Sequence, residues 1–182
     1  MTGFILGPKS LAELNGVKPP LVAVVKRAIQ ITTQDFTVYD GIRTIEQQRR
    51  YVAQGVSKTM NSDHLRGEAV DLVPWVDGKP RWWWPQIYQI AAAMYLAARE
   101  LDVPLQWGCV WDRKLNDLAP GITDPAKLPA ALQQAGLAYN ARHPGKDFPD
   151  GSVDRIDPQY FVAPANVIDC SEHAAENPDF QL

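Results

Sequence analysis

A single carboxylate stands inside an apolar run. In "NSDHLRGEAVDLVPW", residues 61–75, Ala69, Asp71 and Val73 alternate with Val70 and Leu72. This period of two reads as a strand, with Asp71 sharing a face with Ala69 and Val73. An ionised carboxylate among apolar side chains is costly unless it is paired or metal-bound. The fold must therefore bring backbone donors, an arginine or a cation to Asp71. His64 lies seven residues earlier, and Gly67 permits a tight turn between them. Such a turn can bring imidazole and carboxylate together, and both are good zinc ligands. A structural histidine before a turn is the simpler alternative at this point.

The elements around this stretch are mixed. "SLAELNGV" opens with Ser10 as a helix-cap candidate. In "PPLVAVVKRAIQIT", Leu21, Val24, Val25, Ala28 and Ile29 recur at the spacing of one helical face. "DFTVYDG" alternates Phe36, Val38 and Asp40 against Thr37 and Tyr39, which predicts a strand. "TIEQQRRYVAQG" carries a capping box, Thr44 with Gln47, and ends at Gly55. "DGKP" is a turn, "PQIYQIAAAMYLAARELD" a helix, and "VPLQWG" a short strand. Residues 113–150 are irregular apart from a helical middle, and read as an insertion that either lids a cleft or forms a peripheral helical hairpin. "RIDPQYFVAP" is a last short strand. No βαβ rhythm is present, so the expected fold class is α+β with a small antiparallel sheet flanked by helices. Residues 1–164 are expected to form one domain and residues 165–182 a polar tail.

Charge and cysteine content narrow the function classes. A net charge of −3 leaves no basic surplus for nucleic acid. Two cysteines, Cys109 and Cys170, make no disulfide framework, and reduced cytoplasmic synthesis is the simpler expectation. The opening "MTGFILGPKS" has no signal-peptide pattern, and no apolar run reaches the ~20 residues of a membrane span. "RWWWP" at residues 81–85 reads either as packing where a turn enters a helix or as a carbohydrate-stacking platform.

"SDHLRGEAVDLVPW" resembles the S-x-H-x-x-G-x-A-V-D signature of the VanY-like zinc peptidases. That family contains D-Ala-D-Ala carboxypeptidases, L-alanyl-D-glutamate peptidases and many phage endolysins. "GVKPPLVAVVKRAIQIT", "GIRTIEQQ" and "VPLQWGCVWD" resemble its first long helix, its G-x-R-T-x-x-x-Q segment and its W-G-x-x-W strand. The resemblance implies a Hedgehog/DD-peptidase-like fold with His64 and Asp71 as zinc ligands. It implies Ser62 as a supporting residue and Arg43 as the group that holds substrate or oxyanion. The family completes its site with D-G-P-H-F-E-L-P, aligned here with "IDPQYFVAP". Asp157 falls on the general base, and Tyr160 falls where the third zinc ligand, a histidine, should be. Tyrosine binds zinc as phenolate, which requires a depressed pKa. His143 or His173 as a replacement ligand, or no stable metal site, are the alternatives.

By this resemblance the chain is a monomeric zinc peptidase of the peptidoglycan stem peptide, cutting either an L-Ala-D-Glu or a D-Ala bond. As a phage endolysin it would be made in the cytoplasm of the bacterial host and reach the wall after holin-type release, with no insertion into the membrane. The second reading is a catalytically impaired wall-binding, virion or host-interaction protein on the same fold.

Overall fold

The computed structural model describes residues 3–55, 57, 59–143 and 160–162. Five helices and five strands organise them. The helices are α1 (Pro8–Glu13), α2 (Pro19–Ile31), α3 (Ile45–Gln54), α4 (Trp84–Glu100) and α5 (Leu128–Arg142). The strands are β1 (Phe36–Asp40), β2 (Ala69–Val76), β3 (Lys79–Pro80), β4 (Gln106–Trp107) and β5 (Tyr160–Val162). The sheet runs β1-β2-β5-β4, with β3 hairpinned onto the far end of β2, and every pairing is antiparallel. The α+β class expected from the unpaired rhythm of helices and strands is the class observed.

Burial on both faces explains why β2 is so apolar. Val70 and Leu72 join the core with Val38 of β1 and Phe161 of β5. The face of α2 read from its spacing, Leu21, Val24, Val25, Ala28 and Ile29, is buried in that core. Alanines of α4 let its backbone approach α2 and β2, and Met94 and Ile90 fill what remains. Trp107 and Phe161 stack at 6.4 Å with planes 11° apart and tie β4 to β5. Each such large side chain contributes roughly 1.5–3 kcal/mol by leaving water. Of the tryptophan run, Trp84 is buried and stacks on Tyr88, as packing requires. Within the 113–150 segment, α5 packs on α4, and Gly136 sits where a Cβ would be 2.8 Å from Cys109 Sγ.

Two sequence expectations are corrected. Ser10 does not cap α1: the helix starts at Pro8, and Ser10 lies inside it, buried. Its hydroxyl instead accepts from the Val38 amide at 3.1 Å and bonds Thr37 Oγ1 at 2.9 Å. Asp40 does not share a face with Phe36 and Val38. Val38 pairs with Leu72, yet Asp40 pairs with Asp71, so Tyr39 and Asp40 together oppose one residue of β2. This β-bulge turns Asp40 from the core face to the face of Asp71. Strict alternation cannot foresee an inserted residue.

Candidate functional site

The turn between His64 and Asp71 is locked from several sides. Residues Asp63–Arg66 form one 3₁₀ turn, closed by Gly67 at φ 65°. The Gly67 amide donates to His64 O at 3.2 Å, and Glu68 N donates to Asp63 O at 3.0 Å. Lys18 N, at the start of α2, donates to Gly67 O at 2.7 Å. Arg66 bridges Asp63 and Glu68, and Lys18 also pairs with Glu68. Burial pushes the Glu68 carboxyl up, but hydrogen bonds from Lys18 and Arg66 outweigh it and hold the group below the ordinary glutamate range. Ser62 is buried at the head of the turn. A Cβ on Gly67 would lie 2.2 Å from Gly16 O, in addition to the strain of the left-handed conformation. Gly67→Ala is therefore expected to destabilise the protein by about 2 kcal/mol or more, read as a lowered midpoint in urea unfolding.

His64 is wholly buried, and its Nδ1 lies 2.5 Å from Gly41 O. A carbonyl can only accept, so Nδ1 carries the proton and Nε2 presents a lone pair. Burial lowers the pKa of His64, against the attraction of Asp71, so the ring is neutral and able to ligate. Nε2 stands 3.4 Å from Asp71 Oδ2. Asp40, His64 and Asp71 form a group whose ligand atoms all lie within 4.8 Å of one another.

Arg43 joins the two carboxylates. Its Nε donates to Asp40 Oδ2 at 2.6 Å and one terminal nitrogen to Asp71 Oδ2 at 3.2 Å, with the side chain fully buried. The other terminal nitrogen reaches Gln48 Oε1 at 3.4 Å, and Tyr51 lies under the guanidinium at 4.9 Å. Burial, then the nearby Asp40 charge, pushes the Tyr51 phenol up. Gln48 cannot flip: its Nε2 donates to Ser57 Oγ at 2.8 Å and Thr59 O at 2.9 Å, which turns Oε1 toward Arg43. Gln48→Leu is expected to lower kcat about tenfold with little change in KM, measured by steady-state kinetics.

The donor set fits zinc. Two ligands each ~2.1 Å from one tetrahedral ion stand about 3.4 Å apart. That is the separation of His64 Nε2 and Asp71 Oδ2. Two carboxylates against one guanidinium leave a net negative charge for a dication to offset. His64 and Asp71 would hold the ion, with Asp40 within reach. The register places position 160 directly opposite Asp71 on β5. Asp157 and His173 lie outside the described residues. His143 ends α5, with Nδ1 2.9 Å from Tyr139 O and its ring against Tyr139, and it is not part of the group around His64.

Asp40 is the member of the site that sequence reading missed. The available signal was the pair Asp40-Gly41 just before Arg43, where a polar residue and a glycine interrupt an apolar alternation.

Comparisons with known proteins bear on this constellation. Residues 2–123 match the family described as phage L-alanyl-D-glutamate peptidase. An L-alanyl-D-glutamate peptidase of Escherichia phage T5 is 34% identical over 113 residues, 60% of this chain and 82% of the relative. A peptidase of the same name from Listeria phage A118 is 30% identical over 106 residues, 57% of this chain and 37% of that protein. The crystal structure of the Serratia marcescens L-Ala D-Glu endopeptidase ChiX superposes with a TM-score of 0.59 and 27% identity, covering 88% of this chain and 90% of that one.

Proposed function

The chain belongs to the phage L-alanyl-D-glutamate peptidase family, and from that premise we propose that it cleaves the L-alanyl-D-glutamate bond of the peptidoglycan stem peptide as a zinc-dependent endolysin. The sequence left open a D-Ala bond as the target; the relatives' activity favours L-Ala-D-Glu. The observation that carries the reading is the buried His64–Asp71 pair at zinc-ligand spacing, beside Arg43, within the matched residues.

A zinc ion bound there would polarise the scissile carbonyl and make its water acidic enough to attack near neutral pH. The protein's own groups do the rest. Gly41 O holds the His64 tautomer, so the lone pair faces the metal position. Arg43 fixes Asp71 and Asp40 and supplies positive charge near the oxygen that becomes negative. Asp157 is the proposed base that takes the water proton and returns it to the leaving amine. Tyr160 is the proposed third ligand, as phenolate. Asp157→Asn is expected to lower kcat at least about a hundredfold while zinc content stays unchanged, checked by metal analysis and kinetics on the same preparation.

Synthesis in the host cytoplasm and release to the wall follow from the endolysin role. No helix among the described residues is long and apolar enough to cross a membrane. The deciding experiment digests purified peptidoglycan and identifies the new termini by mass spectrometry. Free L-alanyl ends and D-glutamyl amines, with one zinc per chain, support the proposal. A folded, metal-free and inert protein would instead support the binding reading.

A further inference from the structure

The bulge that delivers Asp40 also delivers Tyr39. Consecutive Cα atoms are ~3.8 Å apart, so the Tyr39 ring starts beside a residue of the metal-ligand group. Tyr39 is 42% exposed and meets Trp82 edge-on, with centroids 5.1 Å apart. Lys9 of α1 stands over the Tyr39 ring at 5.7 Å. The same Lys9 lines a groove of about 300 Å³ along the start of β1, walled by Trp75, Pro8, Asp35 and Thr37. Trp75 is 39% exposed there. The Trp75 ring, the Lys9 cation and the Asp35 carboxylate border this groove, a combination that suits a pyranose. Sugar C–H faces can pack on such a ring, and Lys9 offers a donor and Asp35 an acceptor for hydroxyls.

We propose that the groove between Lys9 and Trp75, with the Tyr39–Trp82 pair standing beyond Lys9, is a subsite for the glycan that carries the stem peptide. The inference rests on the proposed peptidase reading. In peptidoglycan the L-alanine is joined directly to the muramyl lactyl group, so the sugar lies one residue from the bond being cut. Trp75 stands four residues along β2 from Asp71, roughly 13 Å away, a span that the lactyl-alanyl link and a disaccharide together can cover.

Two substrates test this: the N-acetylated stem peptide alone, and the same peptide attached to its disaccharide. The wild-type protein is expected to favour the sugar-linked substrate about tenfold or more in kcat/KM, mainly through KM. Trp75→Ala and Trp82→Leu are each expected to lose most of that preference while cleaving the free peptide at the wild-type rate, which also controls for folding. Equal use of both substrates by the wild type, or a preference surviving in both variants, overturns the subsite and leaves the peptidase reading intact. If neither substrate is cleaved, the peptidase reading fails. Ligand-observed NMR with the peptide-free disaccharide then decides the subsite: binding to wild type that Trp75→Ala loses supports it, and no binding overturns it.

Discussion

His64→Ala is expected to abolish zinc binding and to lower peptidoglycan hydrolysis on the order of 10⁴-fold. The imidazole is the only nitrogen in the Asp40–His64–Asp71 group, and its lone pair faces Asp71 across 3.4 Å. Without it two carboxylates remain, and Arg43 already engages both. The variant also loses the bond to Gly41 O, which costs about 1–3 kcal/mol of stability. Circular dichroism separates the two effects. A folded variant with no zinc and no activity is the expected result; a variant that keeps one zinc per chain would remove His64 from the site.

The second large effect concerns the arginine. Arg43→Met leaves the Asp40 and Asp71 carboxylates facing each other, with the buried guanidinium gone. Removing one partner of a buried ionic cluster costs about 3–5 kcal/mol. Like charges at that distance push one carboxyl toward protonation. A dication would offset the same repulsion, so the loss should be large in a chelator and much smaller with zinc present. Denaturant unfolding with and without zinc measures the difference. Equal destabilisation in both conditions would mean that the metal does not sit between these carboxylates. Activity should fall as well, by about 10²–10³-fold, through lost charge stabilisation.

Much of this was legible in the residues themselves. Asp71 inside an apolar strand demanded a partner, and the αL position after Leu65-Arg66 had to be filled by a residue such as Gly67. The α2 face followed from spacing because one helical stripe meets one core. The Thr44 and Gln47 capping box formed as written. What the pattern hid were relations between distant segments. Asp40 enters the site through an extra residue in β1, which periodicity counts as noise. Ser10 resembled a cap because hydroxyl residues favour helix starts, but its hydroxyl is taken by the Val38 amide, 28 residues away. The network from Gln48 to Arg43 depends on the turn carrying Ser57 and Thr59 passing over α3, which local sequence does not announce.

The Ser10 contact has one more effect. β1 is an outer strand, and outer strands offer amides to which another molecule can attach. Ser10 occupies the Val38 donor from within the same chain. A second copy therefore finds that docking point taken, which guards against edge-to-edge pairing of chains at this strand.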